Sequence, residues 1–184
     1  ALDRNQGLEH ALAADPDVGM RQLIFTGWSA EQTLEQTLAL LKRYPDVALI
    51  WSASDGIALG AIEGSRQSGR VPGKDVFIGG MDWSAAGIQA VRDGTLVATM
   101  GGHFMEGGWA LVLLHDYHHG KDFSDTGLTL KSRMQAVTAA NVVRFQHKMD
   151  VSRWRSIPFH AFSRARHPAL TTYDFRLERI LDSP

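Results

Sequence analysis

The chain has 184 residues, 44% of them hydrophobic and 21% charged, with a formal net charge of -1. This globular composition carries no electrostatic footprint for nucleic acid or an anionic membrane. The absence of cysteine excludes a disulfide scaffold, thiol catalysis and cysteine-held metal.

The first element is a helix around Leu8 and Leu12, stopped by Asp-Pro-Asp at 15–17. Residues 21–27, Arg-Gln-Leu-Ile-Phe-Thr-Gly, are predicted to form a strand that leads into Trp28. Ser29 caps the next helix, with Gln32 at the capping-box position and Leu34, Leu38 and Leu41 along one face. Residues 47–51 form an apolar strand that places Trp51 in the core, and Ser54 or Asp55 caps the helix after it. Residues 76–81 are a strand, and 82–94 a corner and a short helix closed by Gly94. A strand at 96–100, a helix from about Met105 to His119, a strand at 134–138 and a short helix to 148 complete the pattern. Its longest apolar run, 109–114, is far shorter than the roughly 20 residues of a membrane helix. From 149 to 184 the periodicity dissolves, and the segment reads as a surface tail anchored by Trp154, Phe159, Phe162 and Tyr173.

Short continuous apolar strands alternating with helices predict an α/β fold, a parallel sheet in three layers. Ligands of such sheets bind beyond the carboxyl ends of the strands. Those ends carry Gly27-Trp28-Ser29, then Ser52-Ala53-Ser54-Asp55, then Gly80-Met81-Asp82-Trp83, then Gly101-Gly102-His103-Phe104. Carboxylates that accept from hydroxyls and indoles that cover C–H faces suit a polyol ligand and demand no reaction. Each residue also has a structural reading. Asp55 and Asp82 are equally helix caps, Trp28 and Trp83 packing residues, and His103 a structural histidine.

Other chemistry finds little support. His115, His118 and His119 sit at helical spacing but lack the acidic partner of a zinc hydrolase, so no metal is expected. The glycine-rich stretch at 101–108 lacks the lysine of a phosphate-binding loop, and no Gly-x-Ser-x-Gly elbow is present. The chain is therefore not expected to be an enzyme or to hold a cofactor.

Arg4 to Leu12, "YPDVALIWSASDGIALGAI", "GRVPGKDVFIGGMDW", "AVRDGTLVATM" and "AVTAANV" follow one another in an order and spacing that resembles type I periplasmic binding proteins. The resemblance is to the ribose- and autoinducer-2-binding kind, a pattern that the ligand-binding domains of LacI-type regulators share, and it covers about Ala1 to Phe145. It implies a two-lobed, Rossmann-like fold with a ligand cleft between the lobes. Residues 1–148 would be the second lobe, with 103–122 belonging to a first lobe mostly outside this chain, and 149–184 a tail. The chain opens without an initiator Met and is expected to be the C-terminal part of a longer protein. The helix at 105–119 would then lack its usual cover over Trp109, Val112 and Leu113, and would pack elsewhere or on a partner chain, with self-association as one way to supply that cover.

The resemblance also implies ligand contacts. Arg4 matches an arginine that grips hydroxyls, and Trp28 a stacking aromatic. Ser54 and Asp55 match a polar pair, and Asp82 an aspartate after the third strand. Trp83 is an added candidate, and His103 stands where a polar Gln or Arg is usual. The expected function is a periplasmic receptor for a sugar-like ligand, read by an ABC permease or a membrane sensor kinase, without direct nucleic-acid contact. The alternatives are the effector domain of a LacI-type regulator and a non-catalytic interaction domain.

Overall fold

The computed structural model describes residues 2–127, 133–149 and 151–181. The helices are α1 (Leu2–Ala14), α2 (Ala30–Arg43), α3 (Asp55–Gln67), α4 (Ala85–Arg92), α5 (Glu106–His118), α6 (Val142–Met149) and α7 (Glu178–Leu181). The strands are β1 (Leu49–Trp51), β2 (Phe77–Met81), β3 (Ala98–Gly101) and β4 (Gln135–Thr138). The residues group into two compact units, 1–100 with 136–142, and 101–135 with 143–184. No described helix is long and apolar enough to cross a membrane.

The first unit is built on an open sheet of order β1-β2-β3-β4. Leu49 lies beside Phe77, and Gly79 beside Ala98, in parallel register. The chain thus forms the α/β parallel sheet that its alternation predicts. Three serines start its helices in the same way. Ser29, Ser54 and Ser84 each accept from the backbone N–H three residues on, at Gln32, Ile57 and Gly87, over 3.1, 3.2 and 2.9 Å. Such caps are worth about 1 kcal/mol each. Ser84, not Asp82, takes the third cap.

Two glycines let α3 lie close on α2. A Cβ on Gly60 would stand 2.3 Å from the Ala30 carbonyl oxygen, and one on Gly64 2.7 Å from that of Leu34. Ile62 of α3, Val91 of α4 and, in and beside the sheet, Val76, Ile78, Leu96 and Val137 are buried. Each such side chain contributes about 1.5–3 kcal/mol through apolar area removed from water. On the opposite face of the sheet Leu49 and Phe77 stand open, and Trp51 is half-buried rather than fully enclosed.

The strand predicted at 21–27 is not formed. Its backbone joins no ladder, and Phe25 is 71% exposed. The segment is tied instead by an ion pair of Arg21 with Asp46 and a hydroxyl bond from Thr33 to Thr26. Strand preference is realised through pairing and packing, and an apolar composition alone does not supply a partner.

In the second unit, the segment read as a tail covers α5. Trp109 stacks on Phe175 at 5.0 Å and meets Phe159 edge-on at 5.5 Å, with Phe162 at 4.8 Å. Trp109 and Val112 are buried, so this face of α5 has its cover within the chain. Leu111, Leu114 and Tyr117 remain exposed. The segment's backbone forms 3-10 turns at Val151–Ser156 and Phe159–Phe162, and then α7.

A carboxylate with no surface exposure holds this arrangement. Asp116 accepts from the Ser163 hydroxyl, the Arg164 amide, the Tyr173 hydroxyl at 2.9 Å and His115 Nδ1 at 3.1 Å. Burial pushes its carboxyl up, but these donors outweigh that and hold it below the ordinary value of 3.8. The Tyr173 phenol is in turn pushed up to about 12 by burial and by its bond to Asp116. A depressed carboxylate stabilises the fold above its unfolded pKa, and that stabilisation is lost as pH falls through the folded value. Asp116→Asn is therefore expected to lower stability by on the order of 2–3 kcal/mol at neutral pH. It is also expected to flatten the fall in melting temperature below about pH 4. Urea and thermal melts from pH 2 to 7 check both effects.

Candidate functional site

The corners at the carboxyl ends of β1 and β2 meet around Asp55, the first residue of α3. Asp55 is 1% exposed. One carboxylate oxygen accepts from the Thr99 hydroxyl of β3 at 2.6 Å, and the other from the Ser84 amide ahead of α4 at 2.8 Å. Burial pushes the Asp55 carboxyl above the ordinary value, and the Thr99 and Ser84 donors oppose the shift. Glycines leave room for it. A Cβ on Gly80 would come within 2.5 Å of Asp55 Oδ1, and one on Gly87 within 2.2 Å of Oδ2.

The same corner carries backbone strain. Asp82 and Trp83 adopt φ of 116° and 57°, and Trp28 adopts 66°. Such conformations cost about 1–3 kcal/mol each for residues other than glycine and persist where the surroundings over-determine them. For Trp83 those surroundings are visible. The residue is buried, and its indole N–H donates to the Thr99 carbonyl at 3.1 Å.

Above this buried layer, three side chains reach solvent together. Arg4, on α1, donates to Asp82 Oδ1 at 3.0 Å and to the Ala53 carbonyl. Its guanidinium carbon lies 5.8 Å from the centre of the Trp28 ring, which is 53% exposed. At this exposure the ion pair contributes about 1 kcal/mol or less to stability, so its effect is chiefly to hold Arg4 and Asp82 in a fixed geometry. A planar donor fork, a carboxylate acceptor and an open indole face stand side by side, a set suited to hydroxyls and C–H surface.

The predicted site residues therefore separate. Arg4, Trp28 and Asp82 come together at an open surface. Ser54 is buried, and its hydroxyl accepts from the Ile57 amide as the α3 cap. Asp55 and Trp83 lie in the interior, where both Asp55 oxygens are engaged and the Trp83 indole donates to the Thr99 carbonyl. His103 opens a 3-10 turn in the second unit and is half-buried. Sequence reasoning missed Thr99 and Ser84. Ser84 had a visible signal, a serine three residues before Gly87 at a helix start, whereas Thr99 looks like any polar residue inside a strand. Among the described residues no cluster of His, Cys, Asp and Glu has the make-up of a metal site.

The periplasmic binding protein domain family matches residues 1–122, and the chain belongs to that family. It is 38% identical over 101 residues to the ribose import binding protein of Salmonella typhimurium, a match covering 54% of this chain and 32% of the relative. A crystal structure of a periplasmic sugar-binding protein from Pseudomonas fluorescens superposes with a TM-score of 0.85 at 37% identity, over 97% of this chain and 55% of that one. The arabinose transporter binding protein of Shewanella sp. ANA-3 shares the fold, with a TM-score of 0.70 at 24% identity, over 87% of this chain and 52% of that one. The chain thus spans about a third of the curated relative and about half of these solved structures. These relatives are named as binding proteins.

Thr99→Val keeps the shape of residue 99 but removes the hydroxyl that Asp55 accepts. It is expected to destabilise the chain by about 1–3 kcal/mol while leaving far-UV circular dichroism unchanged. Equilibrium unfolding in urea measures this, and a loss below 0.5 kcal/mol (about the scatter of surface substitutions) would remove Asp55 from its supporting role.

Proposed function

We propose that the chain supplies one side of a sugar-binding cleft in a periplasmic receptor, with Arg4, Trp28 and Asp82 as its ligand contacts. The observation that carries the reading is the open trio itself, with Arg4 bonded to Asp82 and set beside the exposed Trp28 ring. The sugar names borne by the relatives support the ligand class, and the periplasmic descriptions of the two solved structures support the compartment. On this reading residues 1–148 correspond to the second lobe, with 103–122 belonging to the first. Ligand closes the lobes by binding the closed form better than the open one. An ABC permease or a membrane sensor kinase then reads the closed form.

Because the contacts of only one side are present, the 184-residue chain is expected to bind ribose, arabinose or galactose no better than millimolar in calorimetry. In a receptor that contains both lobes, Trp28→Ala is expected to weaken sugar binding by about 1–3 kcal/mol through lost stacking area. Arg4→Ala is expected to weaken it by a similar amount through lost charge-assisted bonds. Unchanged affinity in both variants would sink the assignment, as would micromolar sugar binding by the isolated chain.

A further inference from the structure

The second unit holds a cavity of about 260 Å³ between α5 and the turn Phe159–Phe162. Its walls are apolar where Gly108, Leu111, Val112 and Phe159 meet. Gly108 makes this possible, since a Cβ there would stand 2.2 Å from the Phe159 ring. The remaining lining includes Arg166, His160 and His115, and no acidic residue.

Charge in and around the cavity is unbalanced. The carboxylate nearest in sequence to His115, Asp116, is already saturated by its donors. Asp125 is engaged by Arg164 in a two-pronged pair at 2.8 Å for each bond, and Asp174 by Arg176 at 2.6 and 2.7 Å. No carboxylate among the described residues pairs with the guanidinium of Arg166.

We propose that this cavity binds a small organic monocarboxylate with an apolar body. The Arg166 fork meets the two oxygens, and the aliphatic or aromatic body rests on Val112, Leu111 and Phe159. The planar guanidinium matches a carboxylate in bidentate geometry. The apolar walls give a fully hydrophilic oxyanion nothing for its remaining oxygens and disfavour it. Small-molecule pockets usually span roughly 300–1,000 Å³, so a cavity of this size takes a body of only a few carbon atoms. The site lies within the second unit and shares no residue with the sugar contacts proposed above.

The test titrates hexanoate into the full 184-residue chain, followed by calorimetry and by the imidazole resonances of His115 and His160. Saturable binding is expected, with hexanol and acetate each at least tenfold weaker. Arg166→Gln should lower hexanoate affinity at least tenfold without shifting the melting temperature, because the Arg166 side chain is exposed. Leu111→Trp, at a residue 68% exposed, should obstruct the cavity and lower affinity likewise. Absence of saturable hexanoate binding, equal affinity for hexanol, or full affinity in both variants would each overturn the proposal.

Discussion

A single buried carboxylate joins three corners of the first unit. Asp55 begins α3, yet its oxygens accept from Thr99 on β3 and from the amide of Ser84 before α4. A buried acceptor of this kind stabilises only while both partners are in place, since an unpaired polar group in the interior costs about 1–3 kcal/mol. The glycines at 80 and 87 follow from the same constraint, because any side chain there would occupy the space of the carboxylate. The geometry of the solvent-facing layer follows in turn. Asp82 and Trp83 lie between Gly80 and Ser84, so their strained backbone is bracketed by the residues that enclose Asp55.

The second unit uses the same device in another setting. Asp116 sits in the last turn of α5 and draws in Ser163, Arg164 and Tyr173 from a segment with no helical or strand period. Aromatic stacking around Trp109 provides buried area, and the carboxylate provides direction. Apolar contact is non-directional, whereas a saturated polar centre admits few arrangements of its donors. An irregular chain is thereby ordered without a regular ladder of backbone bonds.

Much of this is legible in the sequence. Serine caps at 29 and 54 and the alternation of strands and helices are local signals, and they led to the parallel α/β sheet. The resemblance groups Arg4, Trp28 and Asp82, which lie far apart in sequence, and the structure brings the three side chains together. The misreadings arose where a local signal had two physical outcomes. Residues 21–27 have strand composition, but no neighbour pairs with them. Asp55 is polar at a corner, and nothing local says whether its carboxylate faces water or turns inward to Thr99. Asp116 is not singled out by the sequence at all, because only contacts with residues 47 to 57 positions downstream reveal it as buried.

The positive φ values at Trp28, Asp82 and Trp83 bear on how such a site diverges between relatives. β-branched residues are disfavoured in that region of backbone space, so valine, isoleucine and threonine are poor replacements at all three positions. Asparagine, glycine and other residues that tolerate the conformation remain open to substitution there. Arg4 stands in the first turn of a regular helix and carries no such restriction. On the proposed function, drift toward a new ligand therefore has its widest choice of side chains on the α1 side, while the corner before α4 keeps a narrow vocabulary.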